Sequence, residues 1–175
     1  QISGQQRETC DISNLTMAIK CGGSDTTSGM ASNCVIGYVA DKLVDLGATV
    51  VFGETTEFLG GEHILASRAA VSYTHLRAHE RMENRAKAIG EDMRGGQPTP
   101  GNIAGGLSSI EEKSLGAIVK SGHRPIQGVL EYTDRITDQK GLWIKDTQGR
   151  EPEILTGMAA TGAQVLMFST GRGAP

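Results

Sequence analysis

The sequence is poor in aromatic residues, in cysteine and in long apolar runs, and each shortage removes a class of protein. No apolar stretch approaches the roughly 20 residues needed to cross a bilayer, and none has the pattern of a signal peptide. The expectation is therefore a cytoplasmic chain with no membrane partner. Only three cysteines occur, Cys10, Cys21 and Cys34, spaced as neither a CxxC pair nor a disulfide framework. No block of Lys and Arg is interleaved with aromatics, which make up 4% of residues, and the formal net charge is −3. Nucleic acid is excluded as a partner on that footing.

Glycine, in contrast, is abundant, with 24 in 175 residues against a usual share of about 7%. Many stand where an apolar run ends, as expected of loops that approach a ligand closely. The most informative case is Cys21-Gly22-Gly23-Ser24-Asp25-Thr26-Thr27-Ser28-Gly29, between the apolar stretch Leu15 to Ile19 and the helical pattern Ala31 to Leu46. A strand that feeds a helix through small polar residues aims backbone N–H groups and the positive helix end at one spot, where an anion is stabilised. Three other apolar runs end similarly. Ala48 to Phe52 runs into Gly53-Glu54-Thr55-Thr56-Glu57, Gly141 to Lys145 into Asp146-Thr147, and Gln164 to Phe168 into Ser169-Thr170-Gly171-Arg172-Gly173. Parallel strands would bring all four clusters to the carboxyl edge of one sheet, as one pocket.

Leu15 to Phe52 reads as a βαβ unit whose helix carries Val35, Ile36, Val39, Leu43 and Leu46 at helical spacing and ends at Gly47. Gly61 to Ile89 is charged and alanine-rich, the pattern of solvated helix. Gly90 to Gly106 reads as a long loop. Ser108, Ser109, Glu111 and Glu112 signal a helix start at Ile110 that runs to Val119 and closes near Gly122. A short strand over Pro125 to Leu130, strands at Leu142 to Lys145 and Gln164 to Phe168, and a short helix near Glu153 to Ala160 complete the chain. The fold class is α/β: a mostly parallel sheet with flanking helices, a Rossmann-like three-layer architecture, in a single domain over residues 1–175. One segment, Val71 to Glu80, reads as foreign and resembles a translated sequencing-adapter string, an assembly artefact. His75 and His79 within it stand i and i+4, as a metal pair or a solvated helix face.

The candidate chemistry sits in the strand-end clusters. Glu54 and Glu57, two nearby carboxylates, suit acid/base work or metal ligation, since one would raise the pKa of the other, or else they belong to a capped, solvated turn. Lys113 either binds a carboxylate, acts as a base, or makes surface pairs. Arg172, flanked by glycines, is placed to grip a carboxylate in bidentate fashion. Ser24 and Asp25 either hold hydroxyls or, for Asp25, orient a metal or cap the next helix. Cys21 is a metal ligand or a small buried residue, and His63 a ligand, a base or a surface histidine. Asn102 either bonds a hydroxyl or locks its turn. His123 reads as structural.

At Arg7-Glu8-Thr9-Cys10, Cys21-Gly22-Gly23-Ser24-Asp25, Glu54-Thr55-Thr56-Glu57, Pro98-Thr99-Pro100-Gly101-Asn102, Gly105-Gly106-Leu107, Glu112-Lys113-Ser114-Leu115-Gly116 and Ser169-Thr170-Gly171-Arg172-Gly173 the chain resembles the altronate/galactarate dehydratase family. The matches keep the family's order. The resemblance implies a cytoplasmic hydro-lyase dependent on ferrous iron, with manganese as the alternative, that turns a sugar acid into a 2-keto-3-deoxy acid. For that dehydration the sequence offers Glu54, Glu57 and Lys113 as catalytic groups and Gly22, Gly23, Ser24, Asp25, Asn102, Thr170 and Arg172 for the substrate. Cys21, Asp25 and His63 become the candidate metal ligands. The resemblance further implies a piece of a longer catalytic polypeptide, partnered by an N-terminal domain or small subunit and assembled as a homo-oligomer. A sister group, the large subunit of sulfolactate sulfo-lyase, shares many of these motifs. A noncatalytic acid-binding or assembly module is the third reading.

Overall fold

The computed structural model describes residues 2–70 and 74–173, with the side chains of 2 and 74–79 excepted. The pairing of His75 with His79, and Val71 to Tyr73, therefore lie outside what is described. Five parallel strands, β1 (Thr16–Cys21), β2 (Thr49–Phe52), β3 (Ile126–Leu130), β4 (Gly141–Lys145) and β5 (Val165–Ser169), form one sheet in the order β3-β4-β2-β1-β5. Among the described residues there are six helices: α1 (Asn33–Asp45), α2 (Glu62–Arg68), α3 (Thr74–Ala88), α4 (Pro100–Ala104), α5 (Ile110–Val119) and α6 (Glu151–Thr161).

Alternation along the strands sorts the core into two layers, because successive side chains leave opposite faces of a sheet. Met17, Ile19, Val50, Phe52, Leu142 and Ile144 pack with Ile36, Ala40, Leu65 and Ile118 from α1, α2 and α5. Ala18 and Val51 point the other way and meet Ile154 and Met158 of α6. Parallel strands buried on both faces read as continuous apolar runs, which is why β1 and β2 are legible as strands. The α/β three-layer expectation holds.

Three local expectations are corrected. Within Gly90 to Gly106, Pro100–Ala104 is a helical turn, started by a reciprocal cap in which Thr99 accepts from the Asn102 N–H and Asn102 accepts from the Thr99 N–H. Proline at the first helical position favours it. Val35 and Leu46, periodic as core residues, are exposed, because the face that α1 buries fully is Asn33, Ile36, Gly37 and Ala40. The segment before α1 is a wider π-type turn, Ser28–Ser32, in place of a regular helix from Ala31.

Candidate active site

With every strand parallel, the four polar clusters do reach one sheet edge. They divide there into a buried cluster and an open cleft. The buried cluster begins where β1 and β2 end. Gly53 is needed because a Cβ there would stand 2.5 Å from Thr147 Oγ1 and 2.8 Å from the Met158 methyl. That close approach lets the loop after β4 hold the loop after β2: Glu54 N–H donates to Thr147 Oγ1 at 2.9 Å and Thr55 N–H to Thr147 O at 3.2 Å. Glu54 is left with φ 67° and ψ 54°, alone among the described non-glycine residues in a positive-φ conformation. Side chains tolerate that region only where surroundings enforce it, and such strain clusters at functional sites.

The strained backbone turns the Glu54 carboxylate inward. Its Oε1 accepts from Lys20 Nζ at 3.1 Å; its Oε2 accepts from Lys120 Nζ at 2.7 Å and from the Cys21 N–H at 2.8 Å. Lys120, just past α5, also donates to Cys21 Sγ at 2.7 Å and to Glu57 Oε2 at 3.2 Å. Lys20 continues outward to Glu151 Oε1 at 3.1 Å and Gly149 O at 3.2 Å, and also donates to Cys21 O. Glu54, Lys20 and Lys120 are at most 2% exposed; Glu57 reaches 12%. Glu57 is thus the more exposed of the two core carboxylates.

Charges this deep are retained only because they are paired. Burial, reinforced by the Glu57 charge, raises the Glu54 pKa above its ordinary range against the pull of both lysines. Burial also opposes charge on Glu57, but Lys120 and then Lys113 outweigh it and leave that carboxyl lowered. The Cys21 thiol is pushed well up by burial and by Glu57. Lys120, despite burial, keeps its proton well above the ordinary lysine range through Cys21, Glu54 and Glu57. Two carboxylates with opposite shifts are the pattern that separates acid from base.

The cleft is built by the loops after β1 and β5. It measures about 540 Å³ and is lined by Gly23, Ser24, Thr99, Gly101, Asn102, Arg172 and Gly173. Four residues proposed for substrate from the sequence, Gly23, Ser24, Asn102 and Arg172, therefore meet in one place. Gly22 lets the loops touch, since a Cβ would stand 2.5 Å from Phe168 Cε1 and 2.8 Å from Thr170 Cβ. Gly22 N–H donates to Ser169 O and Gly171 N–H to Gly23 O. Asn102 is largely committed, donating to Ser24 O at 3.0 Å while capping α4. Arg172, exposed, donates from Nη1 to Gly101 O. Thr170 Oγ1 donates to Gly173 O at 3.0 Å and supports the loop. Asp25 caps the turn after its loop, accepting from Ser28 N–H at 2.8 Å and Thr27 Oγ1 at 2.7 Å. The expectation of one continuous pocket is corrected, because neither Glu54, Glu57 nor Lys120 lines this cleft.

The remaining candidates stand apart. Lys113 Nζ donates to Gln97 Oε1 at 2.5 Å, with Glu57 close enough to feel its charge. His63 is exposed on α2 and joins no donor cluster among the described residues. His123 meets Asp41, whose carboxylate also accepts the His123 and Arg124 N–H groups. Lys20 and Lys120 escaped the sequence reading. A lysine inside a strand with both faces buried was the available signal for Lys20; Lys120 had none beyond its position at a helix end.

Ferrous iron can be tested against these donors. Cys21, Glu54 and Glu57 each offer one atom, all within 4.8 Å of one another, and thiolate with carboxylates is a set that divalent transition metals accept. Lys120, however, already lies against all three donor atoms. As arranged, the cluster does not fit a metal.

A deep, paired carboxylate cluster and an open, glycine-walled cleft thus share the carboxyl edge of the parallel sheet, the place where open α/β folds take their ligands. Residues 12–175 match the family model described as D-galactarate/altronate dehydratase, C-terminal, and the chain belongs to that family. It is 43% identical over 173 residues to "(2R)-sulfolactate sulfo-lyase subunit beta" of Chromohalobacter salexigens, covering 96% of this chain and 44% of that protein. It is 40% identical over 177 residues to "Galactarate dehydratase (L-threo-forming)" of Escherichia coli, covering 100% of this chain and 34% of that protein. With "Altronate dehydratase" of Bacillus subtilis the identity is 36%, over 98% of this chain and 35% of that protein. The chain thus spans less than half the length of these relatives. No helix among the described residues is long and apolar enough to cross a membrane.

Proposed function

We propose that the chain forms the acid-binding and proton-handling part of a cytoplasmic sugar-acid dehydratase acting on an altronate- or galactarate-type substrate. The observation that carries this reading is the convergence of Ser24, Asn102 and Arg172 on one cleft in a member of this family. Arg172 takes the substrate carboxylate and Ser24 a hydroxyl. Glu57, the more exposed of the two core carboxylates, lies outside the cleft lining; as the base it accepts the proton from the carbon next to the carboxylate of a substrate that extends from the cleft to it. The electron pair left by that C–H bond becomes the new C=C bond as the neighbouring C–O bond breaks, and the departing hydroxyl takes the proton that Glu57 received, leaving as water and restoring the carboxylate. The enol so formed becomes a 2-keto-3-deoxy acid. Lys113 lies near Glu57 and supplies positive charge as the enediolate-like charge develops. Gly22, Gly23 and Thr170 keep the cleft loops in place.

Iron, or manganese in its place, would act as a Lewis acid on the carboxylate or leaving oxygen, but no step is assigned to it among the residues described. The working protein pairs this chain with an N-terminal domain or small subunit, as a homo-oligomer. The 43% identity to a sulfo-lyase subunit supports a second reading, in which the cleft takes sulfolactate and sulfite leaves in place of water.

Product analysis on the longer protein that carries this chain tests both. A 2-keto-3-deoxy acid formed from altronate or galactarate is expected. Sulfite and pyruvate from sulfolactate would install the second reading. Turnover that survives joint replacement of Glu54, Glu57 and Lys113 would remove catalysis from this chain and leave a binding module.

A further inference from the structure

The buried cluster raises a question that stands independently of the substrate: why the chain sinks a lysine among three groups that together resemble a metal site. An ammonium has three N–H donors and no acceptor. Lys120 Nζ spends them on three atoms, Cys21 Sγ at 2.7 Å, Glu54 Oε2 at 2.7 Å and Glu57 Oε2 at 3.2 Å. Metal–oxygen and metal–sulfur bonds run to about 2.0–2.3 Å, so three donors that all lie within 4.8 Å of one another could also close around one ion. Lysine and metal compete for the same space and the same lone pairs.

Charge points the same way. Within the buried core, Glu54 and Glu57 are balanced by Lys20 and Lys120, and the side chain of Lys120 is fully buried. A divalent ion added beside both lysines would leave a large uncompensated charge out of water, which folded proteins avoid. We propose that the Lys120 ammonium is the resident cation of the Cys21–Glu54–Glu57 cluster, so that the cluster is closed to divalent metal while Lys120 is in place. Lysine and metal are alternative occupants. The cluster is a positioning device for Glu57, and divalent metal binds it only once Lys120 is removed.

Cobalt(II) reports directly, because a thiolate bound to it gives a charge-transfer band in the near ultraviolet. The chain would carry Cys10→Ser and Cys34→Ser so that Cys21 is its single thiol. With Lys120 intact, cobalt titration is expected to produce no such band. Lys120→Ala opens the cluster and the band appears, and adding Cys21→Ser abolishes it. Lys120→Met, neutral and of similar length, is the second test of the charge, and circular dichroism establishes that each variant is folded. A Cys21-dependent band in the chain that retains Lys120 would overturn the proposal. So would the lack of a band in folded Lys120→Ala. Where neither variant folds, the thermal midpoint of the Lys120-containing chain decides: no cobalt-induced rise supports the inference, and a Cys21-dependent rise overturns it.

Discussion

The cleft and the buried cluster share a sheet edge but differ in how far their polar atoms are already committed. In the cluster, Glu54 is gripped through both oxygens by two lysines and a backbone N–H, and Lys120 spends every donor on protein. In the cleft, Arg172 is exposed and makes one backbone contact, and Ser24 stands at the wall of an open volume. Committed groups fix geometry and protonation, and uncommitted groups are left for a ligand. Asn102 belongs to both worlds, since it lines the cleft yet spends its amide on Ser24 O and on capping α4. The difference separates residues that bind from residues that position others.

Replacement of Lys120 should break this contrast most severely. Lys120→Met leaves two carboxylates buried against each other, and loss of one partner from a buried pair costs about 3–5 kcal/mol. The same urea titration on Arg172→Ala should register within about 0.5 kcal/mol, as for exposed residues outside the core. A comparable loss in both would erase the distinction. Gly22→Ala comes next: its Cβ would stand 2.5 Å from Phe168 Cε1, and overpacking of this kind costs about 1–3 kcal/mol. Crystallography of that variant should show the loops after β1 and β5 pushed apart.

A pH series sharpens the comparison further. Glu57 has a folded pKa below its unfolded value, so its contribution is present above the ordinary glutamate range and is lost as pH falls through the folded value. Lys120 has a folded pKa above its unfolded value, so its contribution is present below the ordinary lysine range and is lost as pH rises through the folded value. Chemical denaturation should therefore show Glu57→Gln losing less stability on acidification than the parent chain. A small effect is expected at Glu151, which meets Lys20 but is 46% exposed. Glu151→Ala should cost less than about 1 kcal/mol, as surface pairs do.

Much of the fold was legible because buried parallel strands advertise themselves as apolar runs and α1 by its period. The three-layer order and the four strand-end loops follow from Leu15 to Phe52 and its later echoes. Glu54 and Glu57 were legible as a pair because they sit close in sequence at a strand end. Lys120 was not, since its partners Cys21, Glu54 and Glu57 lie 99, 66 and 63 residues away. Nothing local marks such a contact. Lys20 had a signal: a charge inside a run buried on both faces must find opposite charge. The turn at Pro100–Ala104 was hidden by surrounding glycines, although Thr99, Pro100 and Asn102 carry a start signal.

The central claim is that the cleft binds the acid through Arg172 while the buried cluster holds Glu57 in place as the base. Thermal-shift titration of the chain and its Arg172→Ala variant with galactarate, altronate and sulfolactate tests it most directly. A ligand at a hundred times its dissociation constant adds about 2.7 kcal/mol to the folded state, and loss of a charged hydrogen bond worth about 1.5–3 kcal/mol weakens binding roughly tenfold to a hundredfold. The account predicts a raised midpoint with at least one acid in the parent chain and, at the same concentration, a rise reduced to about half or less in Arg172→Ala. An equal rise in both, or none in the folded parent chain with any acid, would contradict it.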